Sequence, residues 1–129
     1  MEYARLYLAI GTASSGASVI LGAFAAHALK GRLDVAMLGT FQTAVQYQFF
    51  HSIALCLLAL WLRQLGRPLM LSEPPVIAGV AFVVGICFFS GSLYGLALGA
   101  PRWLGPITPL GGLAFITGWA AFGWSAWRS

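Results

Sequence analysis

Residues 76–92 read VIAGVAFVVGICFFSGS, a continuous apolar run without a charged side chain. An α-helix needs roughly 20 mostly apolar residues to cross the hydrocarbon core of a bilayer. The strands of a membrane β-barrel alternate apolar and polar residues over about 10 positions, and this run shows no such alternation. The segment is therefore typical of a membrane-spanning helix.

The composition of the whole chain agrees with this segment. Of its 129 residues, 60% are hydrophobic and 8% are charged, whereas a soluble domain is about 45–50% apolar and roughly 25% charged. A soluble fold of this size could not cover its surface with polar groups. The seven basic residues stand singly near the ends of apolar runs, which is typical of membrane anchoring and argues against a nucleic-acid partner. Both cysteines, Cys56 and Cys87, lie inside apolar runs, where we expect them to act as packing residues.

The apolar runs predict an all-α fold, a four-transmembrane-helix bundle forming a single integral membrane domain over residues 1–129. Pro74 and Pro75 mark the start of the third span, because proline is tolerated in a first helical turn. Gly99, Ala100 and Pro101 end it. The predicted spans are residues 3–29, 41–62, 75–98 and 108–127.

An even number of spans places both chain termini on the same side of the membrane, together with the loop 63–73. This side would carry four basic residues, Arg5, Arg63, Arg67 and Arg128. The other side would carry three, Lys30, Arg32 and Arg102. The excess of positive charge predicts cytoplasmic termini.

Small residues recur along three of the predicted spans at intervals of four. In lipid, helices associate through close packing of such residues and through interhelical hydrogen bonds. They are therefore expected to pack the bundle, although the same pattern would serve an oligomer interface. The predicted packing residues are Ser14, Ser18, Gly22, Gly91, Gly95, Gly99, Ala114 and Gly118.

Polar side chains concentrate in one half of the predicted bundle, where the first and third spans end and the second and fourth begin. Polar groups in hydrocarbon are costly unless they are paired. The sequence therefore predicts either a polar cavity or a hydrogen-bonded network that fixes helix register, and the network is preferred. The candidate residues are His27, Gln42, Gln46, Tyr47, His51, Ser90, Ser92, Tyr94 and Thr108.

The two histidines do not predict a cofactor or a metal site. His27 would lie near the membrane surface and His51 near its midplane, so they could not bracket one haem iron. A catalytic zinc usually needs three protein ligands, and no third candidate is predicted nearby. A proton relay through His51 is physically allowed. However, the three carboxylates Glu2, Asp34 and Glu73 lie outside the predicted spans, which disfavours a proton-driven transporter.

Four motifs follow one another along the chain: GAFAAHALK at 22–30, FQTAVQYQFFH at 41–51, FSGSLY at 89–94 and RWLGPITPLGG at 102–112. They resemble the YgdD/YwdK-like family of small membrane proteins, a domain of unknown function. The resemblance covers nearly the whole chain and implies four spans and a bacterial inner-membrane location. It supplies no catalytic residues. Phe50 departs from the family, which more often has tyrosine before His51, and this would remove one hydroxyl from the polar region.

These observations predict a non-enzymatic structural or accessory membrane protein without a cofactor. Its expected partners are membrane lipids and either further copies of itself or a larger membrane complex. The alternative is a small oligomeric transporter or channel with a polar cavity lined by the second span. A haem or redox subunit is the third and least favoured hypothesis.

Overall fold

The computed structural model describes residues 2–129, and these residues form four long helices joined by short loops. The all-α prediction is confirmed. A short 3₁₀ turn, Arg102–Leu104, lies in the connection between the last two helices. The helices are α1 (Glu2–Leu29), α2 (Val35–Leu65), α3 (Pro74–Ala97) and α4 (Ile107–Arg128).

The longest helix, α2, begins at Val35 rather than at Phe41, where the second span was predicted to start. Asp34 causes the early start, because its side chain accepts a hydrogen bond of 2.7 Å from the backbone N–H of Met37. Such a cap satisfies one of the free N–H groups of a first helical turn. The 31 residues of α2 extend over about 46 Å at 1.5 Å per residue.

Glycines in the left-handed conformation end two of the helices. Gly66 has φ 64° and donates its N–H to the carbonyl of Arg63 at the end of α2. Gly99 has φ 94°, and the following Ala100 donates to the carbonyl of Gly95 at the end of α3. Residues with a Cβ rarely adopt this conformation, so glycine favours a sharp helix end at both places.

Among the described residues, three helices are long and apolar enough to cross a membrane: α1, α2 and α3. The fourth, α4, has 22 residues and extends over about 33 Å. It carries Trp119, Trp124 and Trp127 together with several glycines.

The helices pack as two intimate pairs, α1 against α2 and α3 against α4, with α2 also contacting α3. The larger apolar core lies where the start of α1, the end of α2 and the start of α3 meet, and it includes Tyr7, Leu58 and Phe82. A smaller cluster with Ala25, Phe41 and Ala97 lies at the opposite end. Between these two clusters lies the polar interior.

Glycines create the closest helix contacts. A Cβ built on Gly111 of α4 would lie 2.2 Å from the backbone nitrogen of Phe89, and one on Gly79 of α3 would lie 2.1 Å from the ring of Tyr7. Gly11 and Gly85 are similarly crowded. None of these four positions was predicted as a packing site.

Two of the helices contain a π-helical turn. Residues Ala25–Leu29 form one at the end of α1, and residues Ile86–Ser90 form another in the middle of α3. Single π turns inside α-helices are rare and occur frequently at functional sites. The turn in α3 carries Ser90 into the bundle and lies where Phe89 meets Gly111.

Candidate functional site

Gln48 is the centre of a polar network that joins three helices. Its Nε2 donates to the backbone carbonyl of Ser14 over 3.1 Å and to the Ser14 Oγ over 3.2 Å. Its Oε1 accepts a hydrogen bond of 2.6 Å from the hydroxyl of Tyr94. One side chain of α2 therefore holds both α1 and α3.

Ser52 lies one turn further along α2 and extends this network. Its Oγ is 2.6 Å from the Ser14 Oγ and 2.6 Å from the carbonyl of Gln48, and its side chain is fully buried. On α1, the Ser18 hydroxyl donates back to the Ser14 carbonyl over 2.9 Å. Ser14 of α1 thus acts as a hydrogen-bonding partner for α2 as well as a small residue that lets the helices approach.

Two further hydroxyl contacts fix α3. Ser90, at the end of its π turn, donates to the carbonyl of Ala44 on α2 over 2.8 Å. The hydroxyls of Ser92 and Thr108 lie 2.6 Å apart and connect α3 with the start of α4. Polar side chains therefore link α3 to both of its neighbours.

His51 connects α2 with α4 through both of its ring nitrogens. The Nδ1 lies 2.7 Å from the carbonyl of Tyr47, and the indole Nε1 of Trp119 donates to the Nε2 over 3.1 Å. A carbonyl can only accept and an indole N–H can only donate, so the proton of a neutral imidazole resides on Nδ1. The ring also stacks on Phe115, with 3.5 Å between centroids and 11° between planes. Both ring nitrogens are hydrogen-bonded, and a second proton on Nε2 would point at the N–H group of Trp119.

Five of the nine predicted cavity residues participate in these contacts: His51, Ser90, Ser92, Tyr94 and Thr108. Tyr47 is 38% exposed, and its ring packs 4.6 Å from that of Phe89. The other three, His27, Gln42 and Gln46, take no part in these contacts, although Gln46 lines a groove on the outer face of α2. They are exposed, because they lie on helix faces that turn away from the neighbouring helices.

Three residues that are central to the site were not assigned to it by the sequence analysis. Gln48 was absent from the predicted cavity residues, Ser14 was predicted only to pack, and Trp119 was in neither predicted set. Serines on the first predicted span and glutamines on the second were the available signal for Gln48 and Ser14. Nothing in the sequence indicated that Trp119 would bind His51.

Some of the predicted packing residues lie in helix contacts and others do not. Gly118 is crowded by the ring of Phe82, Gly22 meets Val45, and Gly95 meets Leu104. Ser14 and Ser18 lie against α2, and Ala114 is half-buried. The predictions for Gly91 and Gly99 are wrong, because a Cβ on either would meet nothing within 4 Å.

The described residues contain no group of three or more histidine, cysteine, aspartate or glutamate side chains that could hold a metal ion. Arg67 and Glu73 form an ion pair in the loop between α2 and α3. This ion pair lies outside the interior of the bundle. The hydrogen bond from Arg67 lowers the pKa of Glu73, and the backbone N–H of Met70 lowers it further. The carboxylate therefore remains charged at neutral pH and fastens this loop.

The sequence comparisons assign the chain to a family. Residues 21–112 match the family model described as "Protein of unknown function (DUF423)". The chain belongs to the DUF423 family. This confirms the resemblance drawn from the four motifs. The matched part of the DUF423 chain includes the end of α1, the whole of α2 and α3, and the Ser92–Thr108 contact.

Relatives of this DUF423 chain are named as membrane proteins. It is 39% identical to the UPF0382 membrane protein SH2409 of Staphylococcus haemolyticus over 89% of each chain. It is 37% identical to a UPF0382 membrane protein of Haemophilus influenzae over 95% of this chain and 94% of the relative. The inner membrane protein YgdD of Escherichia coli is 36% identical over 90% of this chain and 85% of its own length. No solved structure matches the chain.

Proposed function

We propose that this membrane protein is a structural or accessory component of the bacterial inner membrane and that it does not act as an enzyme or a transporter. One observation carries the proposal. Each of the six buried polar residues is hydrogen-bonded to another group of the protein: Ser18, Gln48, His51, Ser52, Ser90 and Ser92.

An interior in which the buried polar residues are hydrogen-bonded favours a structural role, because transport needs polar groups that can exchange partners. Among the described residues, the Ser15 hydroxyl is the exception, since its Oγ is buried without a partner. In lipid, hydrogen bonds between helices replace part of the hydrophobic force that water supplies to a soluble core. Gln48 joins α2 to α1 and α3, and His51 joins α2 to α4, so both side chains are already bound within the protein. The network therefore supports the preference for a register-fixing role over a polar cavity.

We further propose that all four helices span the membrane and that both termini lie in the cytoplasm. The length of α4, about 33 Å, exceeds a hydrocarbon core of about 30 Å. The contacts that support termini on the same side are those of Tyr7 with Val76 and of Trp61 with Ser125. They bring the start of α1 and the end of α4 to the end of the bundle that carries the Leu65–Pro74 loop.

Reporter fusions test this topology. A reporter active only in the cytoplasm, fused after Ser129 or before Met1, is expected to be active in both fusions. The same reporter inserted after Gly99, between α3 and α4, is expected to be inactive. Opposite reporter activity at the two termini would contradict the four-span topology.

A flux assay tests the choice between accessory protein and transporter. Purified protein in liposomes is expected to give no proton or ion flux above that of empty liposomes, because its six buried polar residues are hydrogen-bonded within the protein. A known ionophore added at the end verifies that the vesicles are sealed. Flux in the wild type that is lost in His51→Ala would overturn the accessory proposal and support a transporter.

A further inference from the structure

Two glutamines on the outer face of α2 have surroundings opposite to those of Gln48. Gln42 and Gln46 lie one helical turn apart and are exposed, whereas Gln48 is only 7% exposed. The amide of Gln48 is bonded to Ser14 and Tyr94, but those of Gln42 and Gln46 have no hydrogen-bond partner among residues 2–129. Within residues 42–48, α2 thus carries one satisfied and two unsatisfied carboxamides.

The depth of Gln42 and Gln46 in the membrane makes their exposure to lipid costly. If α2 is centred in a bilayer, about 8 Å of its 46 Å length lies outside the hydrocarbon core at each end. Gln46, about 16 Å from the start of the helix, is then about 8 Å inside the core. Gln42 lies near the boundary. A polar group at the depth of Gln46 requires a partner that lipid tails cannot provide.

A groove lies beside Gln46 on the same face. It has a volume of about 280 Å³ and is lined by Ser18, Val19, Val45, Gln46, Phe49 and Phe50. Val19 is 64% exposed and Phe50 is 56% exposed, so large apolar side chains surround the amide. The face therefore combines an apolar concavity, which can receive side chains of another helix, with one unsatisfied polar group.

A second copy of the chain matches this face. A carboxamide carries both donors and an acceptor, so two identical amides satisfy each other across a two-fold axis. We propose that the protein forms a symmetric homodimer in the membrane through the outer face of α2, with the Gln46 side chains of the two copies hydrogen-bonded to each other. This inference rests on α2 crossing the membrane and does not depend on the accessory function.

Energy transfer between labelled copies tests the dimer. Full-length protein carrying a donor or an acceptor dye on a tag after Ser129 is reconstituted at decreasing protein-to-lipid ratios in phosphatidylethanolamine and phosphatidylglycerol vesicles. The wild type is expected to show a saturable dimer. Gln46→Leu is expected to raise the dissociation constant about tenfold, because the amide pair is lost while the apolar contacts remain.

The chain offers a matched control in Gln64. It is an exposed glutamine on the same helix, about five turns beyond Gln46 and on the same face, but at the end of α2 where water is available. Gln64→Leu is expected to leave the dissociation constant unchanged. Thermal unfolding by circular dichroism in detergent, where the chain is dilute, should be the same for wild type and Gln46→Leu.

Two results would overturn the proposal. One is a wild type whose energy transfer never exceeds that of randomly distributed monomers, which would assign the face to lipid or to a different protein. The other is a dimer whose dissociation constant is unchanged in Gln46→Leu, which would place the interface elsewhere. Neither result bears on the flux assay, so the accessory function and the dimer can fail separately.

Discussion

Gly111→Ala is expected to destabilise the folded bundle by about 2–3 kcal/mol, the upper part of the range for overpacked cores. A Cβ at this position would lie 2.2 Å from the backbone nitrogen of Phe89 and 2.7 Å from its Cα. Backbone atoms cannot rotate away as the end of a flexible side chain can. The added methyl group would therefore force α4 away from α3 and disturb the stacking of Phe115 on His51.

Thermal or detergent-induced unfolding, followed by circular dichroism, measures the effect. Gly123→Ala is the matched control, because it makes the same substitution in α4 where a Cβ meets nothing within 4 Å. Alanine is favoured over glycine in a helix by up to about 1 kcal/mol, so this variant should be as stable as the wild type or slightly more stable. Equal stability of the two variants would contradict the close contact between α3 and α4.

The second large effect is expected for Gln48→Leu, which should lower the free energy of unfolding by about 2–3 kcal/mol. The substitution removes three hydrogen bonds and leaves the Tyr94 hydroxyl and the Ser14 side chain with fewer partners. Hydrogen bonds between membrane helices contribute about 0.6–2 kcal/mol each. The loss is expected to loosen α1 and α3 together, since both depend on this side chain.

Gln46→Leu is the control for this prediction in monomeric, detergent-solubilised protein, because it makes the same change two residues away on the exposed face. It should not lower stability. A double-mutant cycle between Gln48→Leu and Tyr94→Phe should give a coupling free energy of about 0.6–1.7 kcal/mol. Strict additivity of the two substitutions would show that the bond between them contributes nothing to stability.

Comparison of α2 with its sequence shows what hydropathy predicts and what it leaves open. Bilayer thickness requires a long apolar run, so the existence of the helix could be predicted from residues 41–62 alone. Its start lies before this apolar run, because the cap at Asp34 extends the helix through the connector, where Asp34 and the helical spacing of Ala36 and Met37 were the available signal. The end at Gly66 was predictable, since glycine and the following charged residues interrupt the helix.

The faces of the helices were harder to predict than their positions. In a soluble protein the buried face is the apolar one, but in lipid both faces are apolar and polarity no longer separates them. Gln46 and Gln48 are the same residue type two positions apart, and only the packed neighbours decide that Gln48 binds Ser14 and Tyr94. The same ambiguity explains the glycines: Gly91 and Gly111 have equivalent local sequence signals, but Phe89 lies against only the second.

The π turn at Ile86–Ser90 changes the face of α3 on which the later residues lie. One additional residue in a helix rotates everything after it by about 100° relative to an uninterrupted α-helix. This phase shift aligns Ser90, Tyr94 and Ala97 with the face that holds Ala78 and Phe82 in the core. Without the extra residue, Ser90 and Tyr94 would be rotated by about 100° away from their partners on α2, Ala44 and Gln48. The π turn, rather than any single side chain, therefore directs the buried faces of both halves of α3 toward the same interior.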